Sequence, residues 1–182
     1  MTAPPELLVG SIEEIAEIAA AARGKVGGEI ILVPVDFSDH SEEALIYAAM
    51  IAESLSATLI VLHVIHDPAE MPGYYSRLIE QKQLERIDDA AEQAFSEFAS
   101  RIIAANPACN PLREASFFMV LGLPVARILE VAETLDPLMV VMGSHGRTGL
   151  DKLIIGSKAT QVVQLCPFPV TIVKTREQPV DE

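Results

Sequence analysis

From residue 29 almost to its end the chain alternates short apolar runs with helical patterns, and no other feature narrows the possible folds so far. The runs are "IILVPV", "TLIVLHV", "EASFFMVLG", "LMVVMG" and "PVTIVK". A strand with one wet face alternates apolar and polar residues, whereas a nearly continuous apolar run implies a strand buried on both faces. The intervening segments read as helices. One runs from Ser38–Ser41, which offers N-cap side chains, to about Ser54, with Glu42 and Glu43 near its positive end. A long one extends from about Tyr75, after the loop "HDPAEMPGYY", to Ala105, where "NPACNP" ends it. "LPVARILEVAETL" follows with Pro124 in its first turn, and "GSKATQVVQLC" is the last. Parallel strands need such crossovers, so the expected fold is α/β: a doubly wound, five-stranded parallel sheet with helices on both faces.

This pattern defines a domain over residues 29–175, preceded by an extension, 1–28, and followed by a polar tail, 176–182, expected to fray. Within the extension, Ser11 and Glu14 suggest a capping box, and Ile12, Ile15, Ala16, Ala19 and Ala22 share one helical face. The short amphipathic helix packs either on its own domain or against a second subunit. The formal net charge of −13 opposes general nucleic-acid binding and docking on anionic membranes. No stretch is long and apolar enough to span a bilayer, and no basic-then-apolar leader opens the chain. Cys109 and Cys166 lack metal-ligand spacing and read as ordinary thiols of a reducing cytoplasm.

In a doubly wound fold, ligands sit beyond the carboxyl ends of the strands where the strand order reverses. Three such ends share one rim: Pro34-Val35-Asp36, His63-Val64 and Met142-Gly143. After the last of these comes "GSHGRTGLDKLIIGS", in which Gly143, Gly146 and Gly156 punctuate the loop and Gly156-Ser157 opens a helix. Glycines allow tight turns and close approach, and a helix start offers unpaired N–H groups and a positive dipole end. Arg147, Lys152 and Lys158 add local positive charge to an acidic protein, and the parts suit a polyphosphate. Asp36 offers an acceptor for ribose hydroxyls, which would make the ligand a nucleotide. The pattern is neither GxxxxGK[ST] nor GxGxxG.

The spacing G-x2-G-x9-G-[S/T], together with "ILVPVDFSDHSEEAL", "IVLHVI" and "VLGLPVARILEVAE", resembles the universal stress protein family from about Glu29 to Lys174. The resemblance implies strand order 3-2-1-4-5, an adenine nucleotide-binding Rossmann-like fold, and a homodimer paired through the last strand. It implies the ATP-binding subgroup, with a divalent cation, Mg or Mn, held through the phosphates. By the same resemblance Asp36 holds the ribose, Pro34 and Val35 lie near the nucleoside, and the backbone of Val64 meets adenine. Met142, Gly143, Gly146 and Arg147 line the phosphate side, and Gly156, Ser157, Lys158 and Ala159 close it. Ala159 stands where some ATP-binding members carry a hydroxyl residue.

The expected function is that of a nucleotide-dependent regulatory protein of the stress response, with at most slow ATP hydrolysis. The alternative is a dimeric interaction module whose glycine loop is only structural and whose N-terminal helix is the partner surface. A third reading, an ATP-using enzyme of a related adenine-binding fold, is disfavoured because "VPVDFSDHS" stands where a glycine-rich loop would follow the first strand. His63 reads as a satisfied core or edge histidine, His40 and His66 as loop residues, and His145 as a lesser candidate for phosphate contact. Asp88, Asp89 and Glu92 read as the solvated face of the long helix.

Overall fold

A computed structural model describes residues 7–9, 12–23, 28–66, 81–146 and 155–175 of the 182-residue chain. The elements in chain order are β1 (Leu7–Val9), α1 (Ile12–Arg23), β2 (Ile30–Val35), α2 (Asp39–Leu55), β3 (Thr58–His66), α3 (Gln81–Ala105) and α4 (Asn110–Arg113). They continue with β4 (Ser116–Gly122), α5 (Pro124–Leu135), β5 (Met139–Gly143), α6 (Ser157–Leu165) and β6 (Val170–Val173). All pairings are parallel, in the order β1-β4-β3-β2-β5-β6. The expected order of five strands is thus present as β4-β3-β2-β5-β6. The expected count needs correcting, because the N-terminal extension supplies a sixth strand at the edge. Three apolar residues, "LLV", are too short a run to announce a strand by themselves; their pairing with Phe117–Met119 makes them one.

The sheet separates two apolar layers. On one face Ile31, Val33, Leu59, Val61, Phe117 and Met119 pack with Ala44, Leu45, Ala48 and Ala52 of α2 and Phe95, Phe98 and Ile102 of α3. On the other, Ile30, Leu32, Ile60, Leu62, Phe118 and Val140 pack with Ile15 of α1, Ile128, Val131 and Leu135 of α5, and Ala159 and Val162 of α6. All six residues of β2 are buried, which accounts for a strand without polar alternation. The alanines of α2 let its backbone lie close to the sheet, and Ser38 caps it by accepting from Ser41 N.

The N-terminal helix packs on its own domain. Ile15 is fully buried in the second layer. Arg23 at the end of α1 donates from Nη2 to the Leu135 carbonyl at the end of α5 (2.5 Å). A cation there complements the negative end of the α5 dipole. The expected Ser11 capping residue, the expected start of the long helix near Tyr75 and the polar tail lie outside the described residues. Asp89 and Glu92 are exposed on α3, as read. His40 and His66 were expected in loops, but His40 lies in the first turn of α2 and His66 ends β3. No helix among the described residues is long and apolar enough to cross a membrane.

If α1 is part of the core, Ile15→Ala will lower the free energy of unfolding by about 2–4 kcal/mol, measured by urea denaturation. A change below about 0.5 kcal/mol, typical of an exposed position, would mean that α1 does not pack on α5.

Candidate functional site

The crevice begins with a proline. β2 pairs with β3 over its whole length, to Val35 beside His63, but its ladder with β5 runs only through Ile31–Met139 and Leu32–Val140. The Ile30 carbonyl accepts from Leu138 N (2.8 Å), so even-numbered residues of β2 turn their backbone groups toward β5. Pro34 continues that parity and has no N–H to give, so the β2–β5 ladder cannot extend past it on this side. The chain leaving β2 enters α2 on one face of the sheet, and the chain leaving β5 reaches α6 on the other. Lost pairing and opposite departures make the carboxyl ends of β2 and β5 the switch point of the sheet, the place where doubly wound folds have their ligand crevice.

Asp36 lies on the β2 side of this opening. Its Oδ1 accepts from Ser38 N (3.2 Å) and from Ser38 Oγ (2.6 Å), which orients the carboxylate. Between them Phe37 adopts φ 65, a left-handed conformation that costs a residue with a side chain about 1–2 kcal/mol. Its ring stacks on His63 with centroids 4.1 Å apart and lies near Phe95 and Phe98. His63 Nδ1 is 2.9 Å from the Val35 carbonyl and must carry the proton to donate there. His63 is therefore satisfied within the fold, as the sequence suggested.

Gly143, Ser144, His145 and Gly146 form the β5 side. A Cβ on Gly143 would come within 2.7 Å of the His40 carbonyl carbon, and one on Gly146 within 2.6 Å of Asp36 Oδ2. Among the described residues the only glycine with positive φ is Gly122. The loop glycines at 143 and 146 are thus explained by close approach rather than by tight turning, which corrects half of the reason given for them from the sequence. Gly143 admits the first turn of α2, and Gly146 admits the Asp36 carboxylate. Ser144 is buried; its Oγ lies 2.9 Å from His145 Nδ1 and its N donates to the Val173 carbonyl (2.8 Å). The His40 and His145 rings are 5.0 Å apart, and Thr175 Oγ1 contacts His40 Nδ1. Ser144 and Thr175 were not picked out from the sequence; neither belongs to a spacing motif, and only the approach of β6 to β5 brings Thr175 here.

The α6 start closes the crevice. Gly156 is its N-cap and no side chain caps it. Gly156 N donates to the Ser144 carbonyl (2.8 Å), tying the helix to the end of β5. The first N–H bonded back to this turn is Thr160 N, to Gly156 O (2.9 Å). Those of Ser157, Lys158 and Ala159 precede it and form the positive end of the helix.

Of the residues expected at the site, Asp36, Gly143, Gly146, Gly156, Ser157 and Lys158 lie on this rim, with Ser157 and Lys158 exposed. Val35 and Met142 are buried in opposite apolar layers, so their side chains serve the core and only their backbone borders the crevice. Val64 is half-buried beside the second layer, and Pro34 is buried within β2. Ala159 is only 4% exposed and belongs to the core, so a hydroxyl there would point inward; its N–H is what it can offer. Arg147 and Lys152 lie outside the described residues.

Gly143→Ala forces a methyl onto backbone that cannot swing aside. It will destabilise the fold by about 1–3 kcal/mol in thermal unfolding, and an unchanged melting temperature would show that α2 does not approach β5 this closely.

Comparison with known proteins agrees with this fold. A model of the universal stress protein family matches residues 28–174. Universal stress protein A homolog 1 of Coxiella burnetii is 32% identical over 148 residues, which cover 81% of this chain and 96% of that one. Among solved structures, the universal stress protein UspA of Lactobacillus plantarum superposes with a TM-score of 0.68 at 25% identity, covering 80% of this chain and 97% of its own. A universal stress protein solved in complex with cAMP shares the fold, with a TM-score of 0.55 at 21% identity over 80% of this chain and 95% of its own. The family match spans the sheet from β2 to β6, with the crevice inside it, and the chain belongs to the universal stress protein family.

Proposed function

We propose that the crevice binds ATP, and that the protein is a nucleotide-dependent regulator in which occupancy, rather than rapid turnover, is the signal. The observation that carries the reading is the convergence at one opening of an oriented carboxylate, Asp36, and a helix start without a side-chain cap, that of α6. A carboxylate acceptor suits ribose hydroxyls, and a helix N-terminus suits phosphate. In this reading Pro34, Val35 and the Val64 backbone border the nucleoside. Met142, Gly143, Gly146 and Arg147 line the phosphates, and Gly156, Ser157, Lys158 and Ala159 close them in. A divalent cation, Mg or Mn, would travel with the phosphates. The protein would work in the cytoplasm as a homodimer joined through β6, the strand at the other edge of the sheet from β1.

One observation favours the alternative of an interaction module with a structural loop. The close approach of Gly143 to the His40 backbone is a demand of the fold itself, which a purely structural loop would explain. That alternative no longer has α1 as its natural partner surface, because Ile15 of α1 is buried against its own domain.

Calorimetric titration of nucleotide-stripped protein with Mg-ATP separates the two. The expected result is binding by the parent, at least tenfold weaker binding by Gly156→Val, whose side chain crowds the α6 start, and a similar loss in Asp36→Ala. Gly146→Ala, which displaces the Asp36 carboxylate, will weaken ATP binding more than it lowers the melting temperature. A parent that binds no adenine nucleotide would leave the glycines as packing residues and favour the interaction module.

A further inference from the structure

We propose that His63 is a positioning residue for nucleotide recognition: it clamps both neighbours of Asp36 and so aims the carboxylate at the ribose. This inference rests on the proposed nucleotide reading and extends it to a side chain packed on the α2–α3 face of the sheet. Register places His63 directly beside Val35 in the adjacent strand. From there one ring makes two contacts that bracket Asp36. Nδ1–H donates to the carbonyl of Val35, the residue before it (2.9 Å), and the ring face stacks on Phe37, the residue after it (4.1 Å between centroids, 26° between planes).

The second contact matters because Phe37 holds φ 65, which a side chain disfavours. Without its stack on His63 and its packing beside Phe95 and Phe98, the turn would relax toward negative φ. The Ser38 N–H and Oγ–H that hold Asp36 Oδ1 follow immediately on that turn, so its relaxation would carry the carboxylate away from the crevice. His63 lies on the face of the sheet occupied by α2 and α3, and it touches Phe95 at 5.9 Å between centroids. Its influence on a ligand therefore passes through the Asp36 turn.

A structural role alone would weaken all ligands equally; positioning of Asp36 would weaken only those with ribose hydroxyls. The readout is the ratio of affinities for Mg-ATP and Mg-2′,3′-dideoxy-ATP. The parent is expected to prefer ATP by about tenfold or more, the worth of a hydrogen bond to a charged group. His63→Ala should bring the ratio to within about twofold of unity while dideoxy-ATP binding stays near the parent's. Adding Asp36→Ala to His63→Ala should then change the ratio no further. His63→Phe, which keeps the stack and loses the donor, should retain an intermediate ratio. Phe37→Ala, which keeps the cost of positive φ but loses the stack, should reduce it, and this variant serves as the test if His63→Ala does not fold.

An unchanged ratio in folded variants, or equal weakening of both nucleotides, would overturn the inference while leaving nucleotide binding intact. A parent that binds no adenine nucleotide, or binds both forms equally, would overturn the ribose assignment and this inference with it.

Discussion

A missing hydrogen-bond donor in the centre of the sheet governs how its strands part at their carboxyl ends. Parallel strands normally continue pairing until a turn intervenes, and an unpaired buried backbone group is costly enough that they seldom part early. Pro34 removes the N–H that would extend the β2–β5 ladder beyond Leu32, while β2 stays paired with β3 to its end. The sheet therefore parts on one side of β2 only. This side is also where the chain departs to opposite faces, so the gap is not filled by a crossing helix. The opening between β2 and β5 is a consequence of how the sheet fails to close.

What fills the margins of the gap is set by distance. Gly143 brings the first turn of α2 against the end of β5, and Gly146 allows the Asp36 carboxylate to approach the loop. The carboxylate is fixed by Ser38 at the N-cap of α2, and the intervening Phe37 packs its ring on Phe95 of the core. These glycines answer a packing demand, and a nucleotide site would make a second demand on the same residues. A spacing motif by itself cannot separate these requirements. Measurements that compare loss of stability with loss of binding can.

The N-terminal segment shows a different economy. Its strand lies along β4, which would otherwise be the sheet edge, and its helix covers the layer beneath α5. An open edge strand invites pairing with other chains, and β1 moves that edge to a strand only three residues long. Arg23 then ties the end of α1 to the last carbonyls of α5. The extension is thus part of the domain's architecture although the family match begins only at residue 28, beyond α1.

The sequence by itself determined the class of fold and the rim on which a site must lie. Buried strands leave unbroken apolar runs, and helices between them force parallel pairing, so Ile30–Val35, the strand from Thr58 to Val64 and Met139–Gly143 were legible from composition and spacing alone, while the extension of β3 to His66 was not. The spacing motif from Gly143 to Ser157 could be read for a simpler reason: its residues are close in the chain. The tertiary structure decided everything that joins distant residues. Three apolar residues became β1 only through pairing with β4, because so short a strand has no periodicity to read. The side chains of Val35, Met142 and Ala159 went to the core, because strand and helix parity directs them there whatever a motif suggests. The grip of His63 on Val35 and Phe37 could not be read either, since it depends on the register of two strands and on a backbone angle that no residue type at position 37 announces.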